Sequence, residues 1–386
     1  MFLKNLFLQN FRTYSKSDFS FNKDVVFIVG PNTSGKTNFL EAVNLLSTGK
    51  SFKAQNDSEV ISFGKEVGRV KGEITDSSLR SSFQFGSSSN ASAPAVASGD
   101  LGARPAKQGL VKTSPNEKSP RDLLEVVLSA TSKKYLVNGV SKRRVDFAGR
   151  LLTVLFSPAD LDLIIGSPSL RRNFLDSVLE QVDREYRLAV ISYSKALRQR
   201  NALLQKVQET GVRNEKQFEY WDEVLIKNGQ MIIQKRGEFI EFVNKEEKEI
   251  FDFKIYYDKS LISKERLLQY KSAEIGAGVT LVGPHRDDFL IKMADKDIKS
   301  FGSRGQQRLV VLQLKLIQLL FIRESSGEEP ILLLDDIFSE LDEGHINLVL
   351  QMIGKQQTIV TTTHKEFISE EIQKNAGVIE LGNGKV

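Results

Sequence analysis

Cysteine is absent from the 386-residue chain, and histidine occurs three times. Disulfides and thiolate metal centres are therefore excluded, and a histidine zinc site is disfavoured. A cysteine-free chain fits a reducing cytoplasm, the compartment expected here. Long hydrophobic runs are missing too: none reaches the roughly 18 residues needed to cross a bilayer. The opening stretch, "MFLKNLFLQNFRTY", alternates apolar and polar residues with no small-residue cleavage site after it, and reads as a strand rather than a signal peptide. No internal repeat is visible, and heptads do not persist long enough for an extended coiled coil. An excess of one charge is only mild: the net charge is +5 and the pI about 9.0. That permits phosphate binding without requiring it.

What is present reads as α/β material at both ends of the chain. Residues 2–9 and 25–29 have strand patterns, and the second runs into a glycine-rich loop followed by helical spacing at Phe39, Val43 and Leu46 that stops at Gly49. Residues 67–75 and 122–140 read as β, with Asn138-Gly139 as a hairpin turn. Between them, residues 81–120 are rich in Ser, Ala, Gly and Pro and nearly empty of large aliphatics. Such a segment cannot offset its ordering entropy by burial, so a disordered insertion between two strands is expected. Residues 168–250 read as two long helical stretches folded back near Gly211. Residues 253–257 and 279–292 return to β, and 304–323 are helical. The apolar "ILLLD" at 331–335 suits a buried parallel strand, and 358–361 and 377–381 look like further strands.

The residues that carry chemistry begin with "GPNTSGKT". Gly30, Gly35, Lys36 and Thr37 satisfy G-x-x-x-x-G-K-[ST], with Pro31, Asn32, Thr33 and Ser34 forming the loop between. Backbone N–H groups of such a loop and the positive end of the following helix cradle phosphates; Lys36 would reach the β- and γ-phosphates and Thr37 would offer a hydroxyl to Mg²⁺. The expected cofactors are ATP and Mg²⁺. A P-loop needs a carboxylate partner, and "ILLLDDIFSELD" supplies it: Asp335 ends the apolar strand as a metal-shell ligand, and Asp336 is placed to orient or deprotonate the attacking water. Ser303, Arg304, Gly305 and Gln306 open a helix, a good anion-binding position, and His364 follows a strand where it can sense a γ-phosphate.

This order of motifs resembles the ABC-type ATPases and, within them, the RecF family of bacterial recombination mediators. The residues that carry the resemblance are "LQNFRTY" (8–14), "GPNTSGKTNFLEAV" (30–43), "LFSPADLDLIIGSPSLRRNFLD" (155–176), "LRQRNALL" (197–204), "TLVGPHRDDF" (280–289), "GSRGQQR" (302–308) and "LLLDDIFSELD" (332–342). They span nearly the whole chain apart from residues 81–120. The resemblance implies an ABC-type ATPase head, a mixed sheet with flanking helices and a β-rich subdomain, carrying an inserted α-helical arm. Residues 1–165 and 276–386 would form the head and 166–275 the arm. It also implies that Ser303 and Gln306 cap a nucleotide on a partner subunit, that residues 339–342 cross to that partner, and that Arg12 approaches the nucleotide. Two features depart from the family pattern: Arg304 stands where ABC signatures have a small residue, and "FSP" at 156–158 occupies about the place of the glutamine loop.

The function so implied is a slow, DNA-stimulated ATPase used as a binding switch. It would dimerise on ATP and bind single-stranded DNA or single-strand/double-strand junctions in gap repair and SOS induction, with RecO- and RecR-type partners. Candidate phosphate contacts are Lys133, Lys134, Lys142, Arg143, Arg144, Arg171, Arg172, Lys195, Arg198 and Arg200. Two other classes share the ATPase motifs. A transporter ATPase subunit would need a membrane-docking surface and a more regular signature, and gives no place to "VGPHRDDF". An SMC-like scaffold would need far longer heptad stretches.

Overall fold

The computed structural model describes residues 1–54, 56–75, 121–337, 356–363 and 376–382. A five-stranded parallel sheet lies at the centre, in the order β14 (Gly377–Glu380), β3 (Val25–Val29), β13 (Thr358–Thr362), β12 (Ile331–Asp335) and β8 (Thr153–Phe156). Its inner strands are buried on both faces: β3 and β12 are almost wholly apolar, and β13 mixes Ile359 and Val360 with three threonines. On one face Val26, Ile28, Leu333 and Ile359 pack with helix α1 (Lys36–Thr48). On the other, Phe27, Leu334 and Val360 share a core with the helices of the middle of the chain.

The N-terminal segment builds a six-stranded antiparallel sheet, ordered β2 (Tyr14–Ser20), β1 (Phe2–Phe11), β4 (Val67–Thr75), β5 (Arg121–Ser129), β6 (Lys133–Val137) and β7 (Val140–Lys142). Leu3, Leu6, Leu8, Val70, Leu124, Val126 and Leu128 point from it onto α1. The predicted hairpin turn is present: Asn138 and Gly139 both take positive φ (53° and 78°), as a two-residue primed turn demands. β4 and β5 are neighbours, with Thr75 opposite Arg121. The expectation of a disordered insertion at 81–120 falls outside the described residues.

Short helices α2 (Arg144–Phe147) and α3 (Asp162–Ile165) lead to three longer ones, α4 (Pro168–Val182), α5 (Arg184–Thr210) and α6 (Glu215–Lys245). The expected two helical stretches are thus three. Asp183 interrupts the first: its carboxylate accepts the Tyr186 N–H (2.9 Å) and starts a new helix. The break at Gly211 is as expected, with φ 71° closing α5. After α6 come β9 (Lys254–Asp258), α7 (Lys264–Gln269), α8 (Lys271–Ala277), β10 (Asp288–Met293), β11 (Lys296–Asp297), α9 (Ile298–Phe301) and α10 (Arg304–Ser326). β10 pairs with both β9 and β11 in a three-stranded antiparallel sheet, so strand pairing crosses position 275. The β pattern read over 279–292 shrinks to 288–293, because Gly283 (φ 121°) and Pro284 turn the chain before the strand. Among the described residues no helix is long and apolar enough to cross a membrane.

The stretch "TLVGPHRDDF" is tied down by charge. The buried Asp287 accepts from Tyr257 Oη (2.5 Å), Ser260 N (2.7 Å) and Arg236 Nη1 (3.1 Å). Arg236 also grips Asp176 (2.8 Å) and the Pro284 carbonyl (2.8 Å). Asp288 receives a bidentate Arg171, and Thr280 receives Arg200, which also pairs with Asp222 and Glu274. His285 sits between the Tyr193 hydroxyl (2.7 Å) and the Thr280 carbonyl (3.0 Å), and burial pushes its pKa down to about 4. Removing one member of such a network leaves buried charge unpaired. Arg236→Leu is therefore expected to lower unfolding free energy by about 3–5 kcal/mol, read from chemical denaturation. A loss below about 1 kcal/mol would contradict the role given to this network.

Candidate nucleotide-binding site

β3 ends at Val29 and the chain enters a tight loop over residues 30–35. Glycine is needed at both ends. A Cβ on Gly30 would lie 2.6 Å from Ser34 Oγ and 2.8 Å from the Leu381 carbonyl oxygen. Gly35 takes φ +97°, and a Cβ there would meet Thr13 Oγ1 at 2.8 Å. The Tyr14 hydroxyl fastens the loop by donating to the Gly35 carbonyl (3.1 Å). Lys36, the first residue of α1, folds back so that Nζ donates to the carbonyls of Gly30 (2.7 Å) and Pro31 (3.0 Å). Its side chain is buried in the loop rather than lying free. Burial draws its pKa down, opposed by the charges of Asp336 and Asp335. Pro31, Asn32 and Thr33 form an exposed rim.

The loop fits a phosphate chain. Ser34 Oγ is buried and has no hydrogen-bond partner, a polar atom left over for an incoming group. The first-turn N–H groups of α1 add the positive end of a helix. Thr37 Oγ1 lies 3.1 Å from Asp335 Oδ1, so the loop hydroxyl and the strand-end carboxylate meet, as two hard oxygen donors suited to a Mg²⁺ shell. The parallel register makes this contact possible: Ile28 of β3, Thr361 of β13 and Asp335 of β12 are aligned neighbours. Asp335 is 6% exposed, and the next residue, Asp336, takes the left-handed φ of 48°. Its amide is held by Thr361, through the carbonyl (3.2 Å) and the side-chain hydroxyl (3.0 Å). Thr361 Oγ1 also donates to Asp335 Oδ1 (2.8 Å). The reading of the sequence did not single out this threonine; the signal was a hydroxyl inside the apolar strand "TIVTT".

The other expected residues separate into groups. Ser303 and Gln306 hold each other: Ser303 Oγ accepts the Gln306 N–H (3.2 Å), and Gln306 Oε1 accepts the Ser303 N–H (2.9 Å). This is a capping box starting α10. Ser303, Arg304 and Gly305 are exposed beside it. Arg12 is committed elsewhere: its guanidinium makes a two-pronged pair with the fully buried Glu41 (2.8 and 2.9 Å) and donates to the Glu59 carbonyl (2.8 Å). In this arrangement Arg12 braces the middle of α1. Ser157, at the position expected for a glutamine loop, binds Asp160 through its backbone N–H (2.7 Å). His364 and residues 339–342 lie outside the described residues.

The set of basic candidates contracts. Arg171 and Arg200 are buried ion-pair partners, not phosphate contacts: burying a guanidinium requires an acid, and each has one. Lys133 pairs with Asp57, Arg144 with Glu180, and Arg172 donates to the Asp287 carbonyl. Lys134, Lys142, Arg143, Lys195 and Arg198 remain exposed.

A P-loop between β3 and α1, paired aspartates at the end of the parallel strand β12, one strand removed from β3, and a capped helix behind an exposed Ser-x-Gly loop together define an ABC-type ATPase head. Residues 2–386 match the RecF/RecN/SMC N-terminal domain family. The DNA replication and repair protein RecF of Bacillus cereus (strain G9842) is 34% identical over 411 residues, covering 100% of this chain and 98% of the relative. A structure of the recombination mediator protein RecF with ATP, in the RecFOR pathway, superposes with a TM-score of 0.79 at 30% identity, covering 95% of this chain and 93% of the other. An Smc head domain from Pyrococcus yayanosii gives 0.51 at 14% identity over 100% and 96% of the two chains, a likeness of fold alone. The chain belongs to the RecF family.

Lys36→Ala is expected to weaken ATP about tenfold to a hundredfold by calorimetry, the value of one or two charge-assisted hydrogen bonds. Near-unchanged affinity would remove Lys36 from the phosphate site.

Proposed function

We propose that this chain is an ATP-switched DNA-binding protein of replication and repair, and that it hydrolyses ATP slowly, with DNA as the stimulus. The observation that carries this reading is the meeting of α1 and β12, where Lys36, Thr37 and Asp335 converge at the end of one parallel sheet. Lys36 neutralises the β- and γ-phosphates, and Ser34 and the loop amides bind them. Thr37 and Asp335 hold Mg²⁺, which screens phosphate charge and orients the γ-phosphate. Asp336 orients the attacking water and takes its proton, and His364 contacts the γ-phosphate.

We read the P-loop and the Ser303 loop as separate ends of the site, as the resemblance to ABC-type ATPases implies. The bonds of Ser303 and Gln306 run to residues 293–307, and those of the loop to Tyr14, Thr362 and Asp335. We therefore read Ser303, Gly305 and Gln306 as completing the site of a second copy, so that ATP joins two heads and its hydrolysis releases them. Residues 1–165 and 276–386 serve as the head and 166–275 as the arm. DNA in single-stranded or junction form is the macromolecular ligand, with the exposed lysines and arginines as candidate contacts. RecO- and RecR-type proteins are the partners in recombinase loading, gap repair and SOS induction. The RecF relatives named above support this assignment, with ATP and the RecFOR pathway given for them.

Ser303→Arg places a bulky cation where the partner's γ-phosphate would sit, and should abolish ATP-dependent dimers while sparing ATP binding. Lys36→Ala should abolish them through the P-loop. A mixture concentrates both defects in one composite site and leaves the other intact. Sedimentation should then show dimers that neither variant forms alone. Monomers only, at ATP concentrations that dimerise the parent, would rule the shared site out.

A further inference from the structure

We infer that Thr361 is a positioning residue for ATP hydrolysis, acting through both aspartates at once; this rests on the ATPase reading above. The strand that carries it is a buried parallel one, where alternation calls for aliphatic side chains on each face. Ile359, two residues earlier on the same face, obeys that rule and packs with Ile28 and Leu333. Thr361 is fully buried at the next inward position and brings a hydroxyl in place of a methyl. A buried hydroxyl is costly unless it is bonded, and this one is bonded in both senses. It donates to Asp335 Oδ1 at 2.8 Å and accepts the Asp336 N–H at 3.0 Å.

These two bonds act on the two groups that matter and on different atoms of each. Asp335 Oδ1 receives Thr361 from one side and Thr37 Oγ1 from the other, at 3.1 Å. Two hydroxyls on one oxygen restrict the rotation of the carboxylate. Asp336 is held by its backbone, in a left-handed conformation (φ 48°) that is uncommon outside glycine, though aspartate tolerates it better than most residues. Thr361 holds that backbone twice, through its carbonyl at 3.2 Å and its hydroxyl. The direction in which the Asp336 side chain leaves the strand end follows from this turn. One side chain thus ties the metal-shell carboxylate and the water-orienting carboxylate into one frame. Lys36 and the loop amides are untouched by it, so binding and hydrolysis should come apart.

The test compares Thr361→Val, which keeps the shape and loses the hydroxyl, with Thr361→Ser, which keeps the hydroxyl. ATP affinity by calorimetry and steady-state hydrolysis with DNA are measured on the full chain. For Thr361→Val, ATP affinity should stay within about threefold of the parent and kcat should fall about tenfold or more. Thr361→Ser should keep kcat within about threefold. Thr361→Cys, smaller than valine and a poor hydrogen-bonding group, carries the same expectation should valine fail to fold at this site. In an Asp336→Asn background, Thr361→Val should cost less than it costs the parent, because one of the two groups it aims is already disabled. A parent-like kcat in Thr361→Val or Thr361→Cys overturns the proposal, as does a Thr361→Ser rate as low as that of Thr361→Val. If the parent itself hydrolyses no ATP, the ATPase reading has failed; if the parent turns over and Thr361→Val matches it, only this proposal has.

Discussion

The register of three parallel strands is the constraint on which the site depends. Ile28, Thr361 and Asp335 stand abreast across β3, β13 and β12. Side chains alternate along a strand, so a slip of one residue in β12 would turn Asp335 to the opposite face, away from α1. The apolar residues prevent that slip. Leu333 and Ile359 belong to the core under α1, whereas Leu334 and Val360 belong to the core on the other side. A shifted strand would have to bury Asp335 among the latter, away from the Thr37 and Thr361 hydroxyls that bond it. Hydrophobic sorting therefore aims the carboxylate, and the Thr37 and Thr361 hydroxyls only refine it.

The phosphate loop is shaped by contacts within the chain. Gly30 and Gly35 close it where a side chain would collide, Tyr14 fastens it from a separate strand, and Lys36 uses loop carbonyls as acceptors. A loop that is already shaped pays less ordering entropy on binding. The start of α10 is fixed locally as well: Ser303 and Gln306 satisfy each other across the exposed turn.

Much of this was legible in the sequence because the signals are local. The P-loop, the Asp335-Asp336 pair, the Asn138-Gly139 turn and the Ser303 cap each lie within a few consecutive residues whose geometry depends little on distant chain. The assembly of the P-loop with Asp335 at one sheet end followed from a strand before and a helix after. What stayed hidden depends on distant partners. Arg171 and Arg200 read as solvent-facing cations because their acids, Asp288 and Glu274, arrive from far along the chain. The pairing of Arg12 with Glu41, 29 residues away, was equally hidden. The division of 168–245 into three helices rests on one capping aspartate, which an average over helical periodicity conceals. Thr361 looks like an ordinary β-branched strand residue until its hydroxyl is given neighbours.

The central claim is that the P-loop of one copy and the Ser303 loop of another enclose a shared ATP, and the cysteine-free sequence allows it to be tested by site-specific cross-linking. Asn32→Cys and Ser303→Cys place single thiols on the exposed rim of the P-loop and on the signature loop. Chains bearing one substitution each are mixed and treated with a short bifunctional thiol reagent. The account predicts a cross-linked pair containing one chain of each kind, formed with ATP and absent without it. A cross-link of equal yield with and without ATP, or none in either condition while the double-substituted chain links efficiently within itself, would contradict it.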